Sequence, residues 1–94
     1  MKGYWIVRCQ YNDQDAFEEY ASLATKIVAD NGGKFLVRGG QQLQMENGSY
    51  ERTVMVEFPS LKLAKEIYHS QEYQEAYNII ASSSERDFVI VEGL

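Results

Sequence analysis

The chain has 94 residues, of which 45% are hydrophobic and 24% are charged, a globular composition that excludes disordered and collagenous proteins. This length supports one hydrophobic core, so we predict a single domain over residues 1–94. Fourteen acidic and nine basic residues give a net charge of −5, and the basic residues are scattered, which argues against a nucleic-acid partner.

The first predicted strand spans Tyr4–Cys9, where aromatic and β-branched residues come together. An amphipathic helix is predicted next, because apolar residues then recur at the spacing of one helical face. Those positions are Phe17, Tyr20, Ala21, Ala24, Ile27 and Val28. Asp13 or Asp15 is placed to cap the start of this helix, and Asn31-Gly32-Gly33 is placed to end it.

A β-hairpin is predicted from two further strands, Lys34–Arg38 and Arg52–Phe58. Gly39-Gly40 follows the first of them and predicts a bulge or a close backbone approach. Asn47-Gly48 is typical of a type I′ turn, which needs positive φ at both central residues. The second and third strands are therefore expected to pair.

The third strand ends at Pro59, which cannot donate to a β-ladder, and Ser60 is placed to cap a second helix. Ser70 predicts another cap, so this helical segment is expected to break or bend near His69-Ser70. Its apolar face comprises Leu63, Ala64, Ile67, Tyr68, Tyr73, Ala76, Tyr77 and Ile80. The last predicted strand is Phe88–Val91.

The predicted order βαββαβ is that of a ferredoxin-like α+β fold, with two helices on one face of a four-stranded antiparallel sheet. A sheet with one face in water should alternate apolar and polar residues, but Tyr4–Cys9 and Phe88–Val91 do not. We infer that a second copy of the chain covers the other sheet face. The expected partner is therefore the chain itself, as a homodimer.

His69 is the only histidine and is the natural general acid or base near neutral pH. Tyr68, Glu72 and Tyr73 are close enough in sequence to orient it. The alternative is an exposed or capping histidine between two helical pieces. One His, one Cys and dispersed acids offer no ligand spacing for zinc or iron, so no metal site is predicted.

Cys9 is the only cysteine, so no intrachain disulfide is possible and a reducing, cytoplasmic location is expected. Arg8 beside it can favour a nucleophilic thiolate, but adjacent strand residues point to opposite faces. Cys9 is better interpreted as a small buried hydrophobe. A stretch such as Tyr4–Val7 is too short for a signal-peptide core or a membrane span, and no membrane partner is predicted.

Arg38 and Arg52 lie at places where guanidinium groups commonly anchor a carboxylate ligand or an acid of a partner. Glu57 is a candidate counter-charge, and an ordinary exposed hairpin end is the alternative for both arginines. The glycine pairs lack the strand, loop and helix order of a phosphate-binding motif, so no cofactor is predicted. Seven tyrosines can line a pocket or an interface.

Five segments resemble, in order and spacing, the domain of unknown function 1330 family over nearly the whole chain. They are Gly3–Ile6, Gly32–Gly40, Val56–Ser60, Ser70–Gln74 and Val89–Gly93. The resemblance implies a dimeric α+β barrel, in which two ferredoxin-like protomers pack their sheets face to face. Relatives in that superfamily include small monooxygenases, isomerases, lactone-forming and dehalogenating enzymes, and members without an assigned activity. The fold alone therefore does not choose a function.

The chain departs from the family pattern at three places. Similar chains usually carry Trp-Tyr, a Pro before Glu-Tyr-Gln and an Arg in the last helix, where this chain has Ile67-Tyr68, Gln71 and Ile80. The matching positions that remain for a ligand are Arg38, Tyr68 and Tyr73.

The residues leave three hypotheses open. In the first, a homodimer binds a small anionic or aromatic molecule in a pocket between sheet and helices, with Arg38 pairing with a carboxylate and Tyr68 and Tyr73 supplying hydroxyls and ring surface. The second is a cofactor-independent monooxygenase or isomerase, in which His69 transfers a proton. The third is a structural or interaction module with no ligand.

Overall fold

Four β-strands and three α-helices make up the fold. The computed structural model describes all residues, 1–94. Its elements are β1 (Gly3–Tyr11), α1 (Gln14–Asp30), β2 (Lys34–Arg38), β3 (Arg52–Phe58), α2 (Leu61–Tyr68), α3 (Gln71–Ile80) and β4 (Ser84–Glu92). The predicted ferredoxin-like α+β fold is confirmed, with the second helical segment divided into two helices. No helix combines the length and the apolar character that crossing a membrane requires.

The strands form one antiparallel sheet in the order β2-β3-β1-β4. The central strand β1 pairs with β3 and β4, which leaves β2 and β4 at the edges. A bulge between Phe35 and Val37 shifts the register of β2, so the irregularity precedes the Gly39-Gly40 pair at which it was predicted. Gly39 instead adopts a φ of 68° and donates its N–H to the Thr53 carbonyl at 2.9 Å.

The connection between β2 and β3 differs from the predicted tight turn. It runs over residues 39–51, and although Asn47 has a φ of 49°, Gly48 is not in the positive-φ region. The two positive-φ residues of a type I′ turn are therefore not present. Side chains hold the connection instead, because the amides of Gln42 and Gln44 both donate to the Tyr50 carbonyl. The strand pairing was predicted correctly and its turn was predicted wrongly.

The helix starts follow the sequence signals. Asp13, Ser60 and Ser70 each accept a hydrogen bond from the backbone N–H three residues later. The Ser70 cap starts α3 directly after α2 has ended, so the helical segment breaks near His69-Ser70 as predicted. Each cap satisfies a backbone donor that has no partner within its helix.

The hydrophobic core lies between the three helices and one face of the sheet. Trp5 of β1 is at its centre, where its indole N–H donates to the Ala64 carbonyl at 2.9 Å. The Trp5 ring packs against Phe58 and Tyr73, with ring centroids 4.8 and 5.0 Å away. Cross-strand register thus brings the odd-numbered residues of β1 into the core.

The opposite face of the sheet carries a row of apolar side chains and has no helix over it. Cross-strand pairing aligns Val37, Met55, Ile6 and Val89 in that row. Val37 is 39% exposed and Val89 is 48% exposed, although both lie in the sheet. We call this surface, defined by these four residues, the open face. Such an apolar row is unusual for a sheet face in water.

Gly33 tests the packing at the end of α1. A Cβ there would lie 2.7 Å from Val28 Cγ1 and 2.8 Å from Phe58 Cε1, inside the core. We expect Gly33→Ala to lower the free energy of unfolding by about 1–3 kcal/mol in urea denaturation. Gly40→Ala is the matched control, because no atom lies within 4 Å of its Cβ position. It should change stability by less than about 0.5 kcal/mol. Equal denaturation midpoints for the two variants would contradict this packing.

Candidate functional site

A cavity of about 60 Å³ lies between α1 and the helix-facing side of the sheet. Most of its wall is apolar or aromatic, and its charged side chains are three arginines. These are Arg38 from β2, Arg52 from β3 and Arg86 from β4. No aspartate or glutamate lines the cavity. We call it the arginine cavity.

The register of the sheet brings the arginines together. Arg52 and Arg86 pair with Cys9 from its two sides, so the three residues form one row across β3, β1 and β4. Arg38 pairs with Val54, which lies two residues after Arg52 in β3 and therefore on the same face of the sheet. Because side chains on one face recur every second residue, these arginines share the face that packs against the helices. Cys9 is fully buried, as predicted, with its Sγ 3.8 Å from the Arg52 carbonyl oxygen.

Arg86 is enclosed by aromatic residues. Its Nη1 donates to the Tyr20 hydroxyl at 3.0 Å and its Nη2 to the Tyr73 hydroxyl at 3.1 Å. The two hydroxyls are hydrogen-bonded to each other at 2.7 Å. The rings of Tyr20, Tyr77 and Phe88 lie 5.5, 5.2 and 5.1 Å from the guanidinium carbon, within the range of cation–π attraction. Arg86 forms no ion pair with a carboxylate.

This cluster has more hydrogen-bond donors than acceptors. A guanidinium carries five N–H groups; Arg86 uses two of them on Tyr20 and Tyr73, and Tyr11 is a further partner, so at least two remain. The two phenols carry two hydroxyl hydrogens, of which one lies in the bond between Tyr20 and Tyr73 and the other has no acceptor in the protein. The cluster can therefore donate to an acceptor from outside the chain, and its positive charge favours an anion.

Arg52 and Arg38 add two guanidinium groups without carboxylate partners. The Nε of Arg52 is buried and makes no hydrogen bond, although its guanidinium lies 5.0 Å from the Phe17 ring. Gly39 is in close contact with this guanidinium, since a Cβ on Gly39 would collide with it. Arg38 is exposed and stacks over Phe35 at 3.7 Å. An unpaired buried donor costs about 1–3 kcal/mol, which a ligand acceptor would recover.

The protonation states make the cavity positive. Burial raises the pKa of Tyr73 far above its usual value, and the adjacent Tyr20 raises it further. Burial likewise raises the pKa of Tyr11, another cavity-lining residue. For Arg86, burial opposes the charge, but Tyr20 and Tyr73 outweigh it and the pKa rises. At neutral pH Tyr73 and Tyr11 are therefore neutral phenols, and Arg86 is a cation.

The predicted site residues fall in different places. Arg38 lines the arginine cavity. Tyr73 is fully buried and reaches the cavity through its hydrogen bonds to Tyr20 and Arg86, which both line it. Tyr68 lines a separate cleft of about 290 Å³ at the β4 edge, which also contains Arg86. His69 is exposed at the end of α2, with its ring edge-on to Tyr68 at 5.2 Å, and lines neither opening. Its proton-transfer role stays a prediction.

Sequence reasoning missed Arg86, which lines the cavity with Arg38, lines the cleft with Tyr68 and is hydrogen-bonded to Tyr73. The sequence signal for Arg86 is weak: it stands two residues before Phe88 in β4, so the two side chains face the same side of the sheet, toward the helices. Ile80, the position at which the family resemblance implied an arginine, is fully buried, and the guanidinium beside Tyr73 comes from β4. No three His, Cys, Asp or Glu side chains are grouped to hold a metal ion.

Tyr73 should give the protein a measurable stability change in alkali. A raised pKa means that the folded protein holds the phenolic proton more tightly than the unfolded chain. Its contribution is therefore complete below pH 10.0, the ordinary tyrosine pKa, and is lost as pH rises above that value. For each such tyrosine the free energy of unfolding falls by about 1.4 kcal/mol per pH unit.

We expect Tyr73→Phe to show the shallower slope above pH 10, because it removes one of the three tyrosines with a raised pKa, Tyr4, Tyr11 and Tyr73. Near neutral pH the same variant should be less stable by about 1–3 kcal/mol, since an Arg86 N–H loses its acceptor. Urea denaturation from pH 8 to pH 11.5 measures both effects. Parallel pH profiles for the wild type and the variant would contradict this assignment.

Three solved structures show what this fold resembles. A protein of unknown function from Rhodopseudomonas palustris is 14% identical with a TM-score of 0.79, over 99% of this chain and 82% of that one. A dimeric ferredoxin-like protein of unknown function from Jannaschia sp. CCS1 is 13% identical with a TM-score of 0.79, over 99% of this chain and 100% of that one. SnoaB, a cofactor-independent oxygenase from Streptomyces nogalater, is 7% identical with a TM-score of 0.66, over 99% of this chain and 93% of that one. At these identities the likeness is one of fold.

The family assignment rests on sequence. No curated protein matches the chain. The profile of a family described as a domain of unknown function matches residues 2–94. That match confirms the predicted resemblance over nearly the whole length, and the chain therefore belongs to the domain of unknown function 1330 family.

Proposed function

We propose that the protein binds a small anionic molecule, with a carboxylate or similar group held in the arginine cavity. The observation that carries this proposal is the set of three arginines around an otherwise apolar cavity that no acidic side chain lines. Arg52 and Arg86 are half-buried, and neither has the carboxylate partner that a guanidinium group withdrawn from water normally has. Guanidinium groups bind carboxylates through two parallel hydrogen bonds, which favours this anion class.

The dimensions of the cavity limit what it encloses. One water molecule needs about 10–15 Å³ of cavity volume, so a cavity of about 60 Å³ holds a few waters or an anionic head group and not a large ligand. The exposed lining residues, Thr25 of α1 and Arg38 of β2, put the entrance between that helix and that edge strand. A ligand larger than its head group would extend through this entrance toward solvent.

The cavity favours binding over proton transfer. No His, Asp, Glu or Lys lines it, and the raised pKa of Tyr11 keeps that phenol neutral at physiological pH. The predicted proton-transfer residue, His69, lies at the end of α2 outside the cavity. The oxygenase alternative is supported by the Streptomyces relative, which shares the fold at 7% identity. An anion-binding function therefore has the stronger support from the residues of this chain.

Arg52→Met tests the proposal, because methionine keeps most of the side-chain length and removes the charge. We expect it to weaken binding of acetate or benzoate by about 10- to 100-fold, the value of one to two charge-assisted hydrogen bonds. Arg38→Met should have a smaller effect, since Arg38 is exposed. NMR titration of the Val54 methyl groups, which line the cavity, measures the affinity.

Two variants serve as controls for that titration. Lys62→Met removes a positive charge from an exposed position on α2, and His69→Ala removes the exposed imidazole. Both should keep the wild-type affinity, because neither residue lines the cavity. The proposal fails if Arg52→Met binds these anions as tightly as Lys62→Met does.

We further propose that a second copy of the chain covers the open face, giving a homodimer. The supporting observation is the apolar row of that face, bordered by charged residues such as Arg8 and Asp87 in the next cross-strand row. An apolar centre with a polar rim is the usual composition of a protein interface. The related Jannaschia protein is described as dimeric and shares this fold.

Val89→Asp should convert this dimer into a monomer, because it would bury carboxylates in the apolar centre of the interface. Leu23→Asp is the matched control, since Leu23 of α1 is similarly exposed at 42% and does not lie in the sheet. Native mass spectra over a dilution series should give twice 10.8 kDa for the wild type and for Leu23→Asp, and 10.8 kDa for Val89→Asp. A wild-type monomer at all concentrations would overturn the homodimer.

A further inference from the structure

A second opening lies at the free edge of β4. Its volume is about 290 Å³, and it is lined by Tyr68, Tyr77, Ser84, Arg86 and Phe88. We call it the β4-edge cleft. Small-molecule sites usually start at about 300 Å³, so the cleft approaches the size that takes a whole small ligand, whereas the arginine cavity is about 60 Å³.

The cleft and the arginine cavity meet at two residues, Arg86 and Phe88, which line both. The guanidinium of Arg86 is held by its hydrogen bonds to Tyr20 and Tyr73. At least two of its N–H groups have no protein acceptor. The same unpaired cation is therefore available on the β4 side.

Aromatic rings form most of the remaining wall. Tyr68 packs against Phe88 with ring centroids 5.0 Å apart, and both rings are half-buried. Tyr77 lies across the cleft on α3, with its ring 5.2 Å from the Arg86 guanidinium carbon. A flat apolar ligand can pack against these rings while an acidic group on it reaches Arg86.

The cleft stays open in the proposed homodimer. The even-numbered residues of β4, which include Ser84, Arg86 and Phe88, face the helices. The odd-numbered residues, which include Asp87 and Val89, face the opposite side of the sheet, where the open face lies. A second copy on the open face would therefore cover the opposite side of the sheet. The proposed homodimer therefore leaves the cleft uncovered.

We propose that the β4-edge cleft is a second ligand site, specific for an aromatic carboxylate. The carboxylate pairs with Arg86, and the ring packs between Tyr68 and Tyr77. This site is separate from the head-group site of the arginine cavity, although the two share one guanidinium. Occupation of either site reduces the affinity of the other for a second anion, because both draw on the Arg86 donors.

Site-resolved NMR titration with benzoate tests this inference. The Ser84 amide reports the cleft, and the Val54 methyl groups report the arginine cavity, because each residue lines one opening only. Tyr77→Leu keeps apolar volume but removes the ring, and we expect the dissociation constant read at Ser84 to rise about fivefold. Tyr77→Phe, the matched control, should bind as the wild type does, since the ring surface and not the hydroxyl is used.

Arg52→Met separates this inference from the proposed function. It should weaken the affinity read at Val54 without weakening the affinity read at Ser84, which can only rise when the arginine cavity is less occupied. Shifts at Val54 with none at Ser84 would overturn the cleft site and leave the anion-binding function standing. Shifts at Ser84 that are equally strong in Tyr77→Leu would also overturn it. If benzoate shifts neither residue, the cleft is not an aromatic carboxylate site.

Discussion

The guanidinium of Arg86, enclosed among rings without a carboxylate, is the constraint on which the helical layer depends. Removing such a charge from water costs several kcal/mol unless other groups compensate. Two phenol oxygens and three ring faces provide that compensation here. Because Tyr20 comes from α1 and Tyr73 from α3, one cation fixes the two helices to each other and to β4. The same bonds hold the guanidinium where it lines both the arginine cavity and the β4-edge cleft.

The break between α2 and α3 allows Tyr68 and Tyr73 to pack against the same residue of β4, Phe88. In a continuous helix, Tyr68 and Tyr73 are five residues apart and would point about 140° away from each other. The Ser70 cap restarts the helix, and both rings then pack against Phe88, at 5.0 and 6.4 Å between centroids. A local signal, one serine hydroxyl, therefore decides the aromatic surroundings of a residue in a distant strand.

Local signals explain which parts of the fold could be predicted. The caps at Asp13, Ser60 and Ser70 and the helical periodicities are properties of short segments, and they gave the elements correctly. The prediction of a type I′ turn at Asn47-Gly48 was wrong because side-chain hydrogen bonds from two glutamines hold that connection in another conformation. Local sequence signals thus predict helices and strands well, but they predict the conformation of a long connection poorly.

The site was less predictable because its contacts are far apart in sequence. Arg86 meets a tyrosine 66 residues away and another 13 residues away, and those two tyrosines are themselves 53 residues apart. Strand register, and not a sequence motif, places Arg52 opposite Arg86 on the other side of β1. Arg38 was identified because it stands beside a glycine pair that is visible in the sequence.

Strand register also keeps the two faces of the sheet apart. Arg8 and Cys9 are adjacent in β1, yet Cys9 lies in the arginine row and Arg8 beside the apolar row, so a slip by one residue would exchange the faces. Two contacts with α2 prevent that slip. Gly3 lies so close to α2 that a Cβ would be 2.6 Å from the Ser60 carbonyl oxygen, and the Trp5 indole donates to Ala64. Because α2 fixes β1 at these points, it fixes which residues face a ligand and which face a second copy.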